Sequence, residues 1–108
     1  MLYAKECLDE AEIVNRATVF KKVPSTTFAV YFDYVDVEKS PDLINRIYTH
    51  DETIELYSYI PDPVSEQRLE DAMNKRLLKW SKDAASWLES EQMYMTVYSF
   101  SSIEKKEG

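Results

Sequence analysis

The chain has 108 residues, 44% of them apolar and 13% aromatic, and a net charge of −7. This is long enough for one domain that buries about two-thirds of its unfolded surface, and the apolar content excludes an intrinsically disordered chain. The acidity disfavours a nucleic-acid backbone as partner, since the longest basic runs, Lys21-Lys22 and Lys105-Lys106, neutralise few phosphates.

Two residue counts narrow the field further. The only glycine is Gly108, so phosphate-cradling loops and dinucleotide fingerprints, which need glycine for close backbone approach, are excluded. Cys7 is the only cysteine, which rules out a disulfide within the chain and argues against a secreted, stapled fold. Glu6, Asp9, Glu10 and Glu12 stand where a secretory leader needs an apolar core, and no window approaches the ~20 apolar residues of a membrane span. A protein of the reducing cytoplasm is expected, with no membrane partner, no specific nucleic-acid binding and no cofactor.

In chain order, Leu2 to about Val14 reads as a short helix with Ala4, Leu8 and Ala11 as its apolar stripe. Thr18–Val23 looks extended and ends at Pro24-Ser25. Thr27–Val37 carries the strongest strand pattern. Phe28, Val30, Phe32 and Tyr34 share the face expected to meet the core, while Ala29, Tyr31 and Val35 form a second apolar face, as in an interior strand or one covered by a neighbouring subunit. Glu38–Asp42 is a charged loop, and Asn45–Thr49 returns to extended structure.

The next strand places Ile54, Leu56 and Ile60 on one face and Thr53, Glu55, Tyr57 and Tyr59 on the other. It stops at Pro61-Asp62-Pro63, where Asp62 suits an N-cap and Pro63 the first helical position, which needs no backbone donor. A helix follows over about 63–79, with Leu69, Ala72, Met73, Leu77 and Trp80 as its buried stripe and charges ordered acid-first, base-last. Over residues 80–91 the pattern fits a continued helix or a strand equally. Gln92–Ser101 alternates clearly as a strand, which makes Ser90-Glu91 a tight hairpin connection if the strand reading holds. Residues 103–108 read as a charged, frayed tail of a single domain spanning 1–108.

Little chemistry is offered. His50 is the only histidine and, beside Asp51 and Glu52, is expected to be exposed. Asp33 and Asp36 fall on opposite faces of a strand, which argues against a metal cluster with Glu38. Cys7 in an acidic helix is a poor nucleophile, and Met93 and Met95 fit core filling. No catalytic, cofactor-binding or metal residue is assigned, and the chain is expected not to be an enzyme.

Several short words are informative together: Val23–Tyr31 and Pro41-Asp42, then Thr49–Tyr57, Ser65–Asp71, Trp87–Tyr94 and Val97–Phe100. In these, from about Val23 to Glu104, the chain resembles the small tail-completion (tail-terminator) proteins of long-tailed bacteriophages and Gram-positive prophages. The resemblance implies an α/β subunit with helices on one sheet face and an early helix end, so that residues 84–89 and 92–101 pair as strands. It implies a ring, usually of six, that caps the tail tube, ends its polymerisation and meets the head-completion or connector protein. Its implied locations are the bacterial host cytoplasm during assembly and the virion tail.

The combined expectation is an α+β fold: a mixed or antiparallel sheet of four to five strands with an N-terminal and a central helix on one face. Candidate subunit or partner contacts are Glu55, Tyr57 and Tyr59 on one strand face, Tyr31 on the preceding strand, and Asp42 in the loop between. The alternative function is a small acidic protein-binding module, an inhibitor or decoy without catalytic activity.

Overall fold

Alternating apolar strands and two short amphipathic helices assemble, in the computed structural model, into an α+β fold that describes residues 3–17, 20, 22–39 and 45–107. In chain order the elements are α1 (Tyr3–Glu10), β1 (Val14–Ala17), β2 (Phe28–Lys39), β3 (Asn45–Ser58), α2 (Pro63–Lys75), β4 (Ser81–Leu88) and β5 (Met93–Glu107). The strands form one mixed sheet in the order β1-β2-β3-β5-β4. β1 runs parallel to β2 and the other pairs are antiparallel.

Both helices lie on one sheet face. Ala4, Cys7, Leu8 and Ala11 pack with Leu69, Ala72 and Met73 onto Ala29 and Tyr31 of β2, Ile54 and Leu56 of β3, and Tyr98 and Phe100 of β5. Each large apolar side chain removed from water here contributes roughly 1.5–3 kcal/mol. This reverses the expected polarity of β2. Tyr31 and Ala29 face the helices, whereas Phe28, Val30, Phe32 and Tyr34 face away. Both faces of β2 are apolar, so alternation cannot tell which one the helices take. The register decides it, by aligning Tyr31 with Ile54 and Ile54 with Tyr98.

The Pro-Asp-Pro corner behaves as its chemistry dictates. The Asp62 carboxylate accepts from the Ser65 backbone N–H (3.1 Å), the Ser65 hydroxyl (2.8 Å) and the Thr27 hydroxyl (2.6 Å), and Pro63 opens α2. Ile60, expected on the strand face of Ile54 and Leu56, is exposed because β3 ends at Ser58.

α2 stops at Lys75, short of the expected 79. Leu77 N–H donates to the Asn74 carbonyl and Leu78 N–H to the Met73 carbonyl, the paired bonds of a Schellman close. α1 ends the same way, with Glu12 N–H on the Asp9 carbonyl and Ile13 N–H on that of Leu8. In both, the left-handed position that favours glycine is filled by another residue, Leu77 (φ 58°) and Glu12 (φ 59°). Leu77 is therefore 88% exposed rather than part of the stripe. Trp80, past the helix end, still packs against the core. The earlier close of α1 releases Val14–Ala17 into β1.

Ser81–Leu88 is a strand, and a turn over residues 89–92 joins it to β5, with Gln92 N–H on the Leu88 carbonyl (2.8 Å). β4 gains one residue relative to β5 between Asp83 and Ser86, a bulge that roughens this sheet edge. The charged run at the C-terminal end is not a frayed tail. β5 continues to Glu107 and pairs with β3 as far as Asn45; long-range pairing overrides the local charge pattern.

Candidate interaction face

β1 pairs only as far as Tyr31 of β2, and β4 begins opposite Ser99 of β5. Beyond these limits the sheet continues as three strands, an arm made of residues 34–39, 45–51 and 101–107. Among the described residues no strand lies outside β2 or β5 along it. The arm lengthens the molecule to 52 × 28 × 21 Å and its radius of gyration to 15.7 Å, against about 13 Å for a compact domain of this length.

The helix-free sheet face holds a groove of about 360 Å³ at the end opposite the arm. Its floor is aromatic: Phe28 stacks on Tyr57 (5.1 Å between centroids, 16°) and meets Phe20 edge-on (5.4 Å, 76°). Val30, Phe32, Leu88 and Met93 extend the apolar wall, and among the described residues Glu55 and Glu91 are the charged members of its lining. Glu55 sits in the middle of this face, with Val30 and Val97 as its cross-strand neighbours. Its carboxylate accepts from the Tyr57 hydroxyl at 2.9 Å. Burial, the Glu55 hydrogen bond and the charges of Glu55 and Glu91 push the Tyr57 phenol up to about 12, so it remains a donor at neutral pH.

The expected contact residues therefore separate. Glu55 and Tyr57 come together in the groove. Tyr59 lies past the end of β3, exposed, with its hydroxyl on the Pro24 carbonyl at 2.7 Å. Tyr31 is buried under the helices, covered by the chain itself rather than by a neighbour. Asp42 lies outside the described residues. Phe20, Leu88 and Glu91 were not singled out from sequence, because only the β4–β5 hairpin and the segment before β2 bring them to this face. A glutamate on an outward strand position between apolar cross-strand neighbours was the available signal.

On the helix side, His50 is buried rather than exposed, with Nδ1 3.0 Å from Asp33 Oδ2. Next to it Glu52, 1% exposed, accepts from the Ala4 backbone N–H at 3.0 Å and so caps the start of α1. Burial raises the Glu52 carboxyl above its ordinary value, with the Ala4 N–H opposing and the Asp33 charge adding to the rise. Among the described residues no group of three or more His, Cys, Asp or Glu is placed to hold a metal ion. Burial pushes the Cys7 thiol up to about 11, which disfavours the reactive thiolate. Among the described residues no helix is long and apolar enough to cross a membrane.

No protein-family model matches this chain, and no curated protein matches it significantly. The resemblance to tail-completion proteins therefore rests on the short sequence words between Val23 and Glu104 alone.

Proposed function

We propose that this chain is a structural subunit of a phage or prophage tail, forming a ring that caps the tail tube, ends its polymerisation and joins it to the head connector. One observation carries most of the weight: a three-stranded arm that outruns the helical layer and, among the described residues, has no strand on either edge. Bare strand edges are assembly surfaces unless blocked, and a sheet open on both sides favours contacts that propagate from copy to copy into a ring. The proposed partners are further copies of the chain, the tail tube protein and the head-completion protein. The proposed places of action are the host cytoplasm during assembly and the virion tail.

Light scattering over a concentration series, with negative-stain imaging in the presence and absence of tail tubes, tests this reading. Closed rings, free or on tube ends, are expected; a particle that stays monomeric and leaves tube ends bare overturns it. The second reading, an acidic binding module, is favoured by the carboxylates of the groove and predicts salt-sensitive capture of a basic partner unrelated to tails. A pull-down that recovers only tail or head proteins rejects it.

A further inference from the structure

We propose that the groove on the helix-free face docks a protein segment that presents a lysine or arginine between apolar side chains. This goes beyond the ring reading and stands on the groove alone.

The wall requires an apolar occupant. Phe28, Val30 and Phe32 succeed one another at every second position of β2, a ridge of about 13 Å at ~3.3 Å per residue. Phe28 and Val30 are already buried within the chain, and the ridge opens to water at its outer end, where Phe32 is 39% exposed. An aromatic and aliphatic trough of this size suits a short run of side chains rather than one polar ligand.

The charge requires a cationic occupant. Among the described residues, Glu55 and Glu91 are the charged members of the lining. Their hydrogen bonds come from neutral hydroxyls, those of Tyr57 and Ser90 respectively. Among the described residues neither takes part in an ion pair, although Glu6, Glu10, Glu66 and Glu70 each hold a cation. The Glu55 carboxylate is partly buried beside Val30, Val97 and Tyr57, so an incoming ammonium or guanidinium is attracted more strongly there than at an open surface. The partly exposed Tyr57 ring beside Glu55 adds aromatic surface to which cations are drawn. The net charge of −7 steers the same class of partner.

The experiment uses the full chain and three five-residue peptides, capped at both ends, with valine and leucine flanking a central lysine, norleucine or glutamate. Binding is followed by backbone and methyl NMR at low salt. The lysine peptide is expected to shift Glu55, Tyr57 and Met93 and to bind at least about tenfold more tightly than the norleucine peptide, a difference of about 1.4 kcal/mol. The glutamate peptide should bind least. Glu55→Gln with Glu91→Gln conserves shape and should erase the lysine preference while leaving the remaining spectrum unchanged. Equal affinity for the lysine and norleucine peptides, shifts located elsewhere, or no binding by any peptide overturns the proposal. So does concentration-dependent occlusion of the groove by a second copy. Ring formation by the double variant, scored in parallel by light scattering, separates this result from the fate of the ring reading.

Discussion

The sheet has a body and an arm, built from the same three strands under opposite rules. In the body, β2, β3 and β5 are flanked by β1 and a bulged β4 and covered by two capped helices. Every second residue there is anchored: Ala29 and Tyr31, Ile54 and Leu56, Tyr98 and Phe100. In the arm the same strands run on with no flanking strand among the described residues, and Tyr34 at its base is 68% exposed. Backbone pairing alone costs conformational entropy that burial must offset. The body obtains that burial from its own helices, whereas at the base of the arm only the helix-side face is covered, with His50 buried and Tyr34 on the opposite face in water. The contrast separates residues anchored under the helical layer from exposed ones such as Tyr34 and Val35.

The sharpest way to break the comparison is to substitute within the body. Leu69 of α2 is fully buried among residues of both helices and the sheet. Leu69→Ala is expected to lower unfolding free energy by about 2–5 kcal/mol, through lost transfer energy and the cavity left behind. Urea denaturation followed by tryptophan fluorescence measures it. A loss under 1 kcal/mol would mean that the helical layer is not the main anchor of the sheet.

Two body carboxylates give pH dependences of opposite sign. The Thr27 hydroxyl, with help from Ser65, holds Asp62 below its ordinary 3.8. Its contribution is complete above that value and disappears as pH falls through the lowered one. Asp62→Ala should cost about 1–2 kcal/mol at neutral pH and remove that part of the acid transition. Glu52 is raised above its ordinary 4.5 by burial. The fold prefers its protonated form, so its contribution improves as pH falls through the raised value toward 4.5. Denaturation series at stepped pH should show Glu52→Gln losing that improvement; an unchanged slope contradicts the assignment.

Much of the body was legible in the sequence because local rules and tertiary packing agree there. Asp62 caps and Pro63 opens α2 as their chemistry dictates, and Ile54, Leu56, Leu69 and Met73 fall on the core by periodicity. Legibility failed where local and long-range terms compete. Which face of β2 meets the helices depends on register, not on alternation. The charges at residues 104–107 resemble a tail until β3 pairs with them. The groove was half legible: Glu55 and Tyr57 follow from alternation along β3, but Glu91 and Phe20 arrive through a hairpin and a loop that no period encodes.

The helix ends offer a gain rather than a loss. Leu77 adopts φ 58° in the Schellman close of α2, where a side chain with a Cβ is disfavoured by roughly 1–2 kcal/mol. It is almost fully exposed, so removing it costs no core contact. Leu77→Gly is expected to raise stability by about 1 kcal/mol, after the greater entropy of glycine in the unfolded chain is deducted. A melting temperature that falls instead would show that Leu77 makes a contact outweighing its backbone conformation.

The smallest effect belongs to the arm and sharpens the contrast most. Tyr34 lies on the helix-free face, and its strand neighbour across the register is Asp51. Its ring is largely in water, so Tyr34→Ser sacrifices little burial and should change monomer stability by no more than about 0.5 kcal/mol. Chemical denaturation at a concentration low enough to keep the chain monomeric isolates that term. The same substitution scored at high concentration reports whether the tyrosine serves contacts between copies. A monomer loss above about 1 kcal/mol would extend the cooperative core into the arm, and the two regions would then obey one rule rather than two.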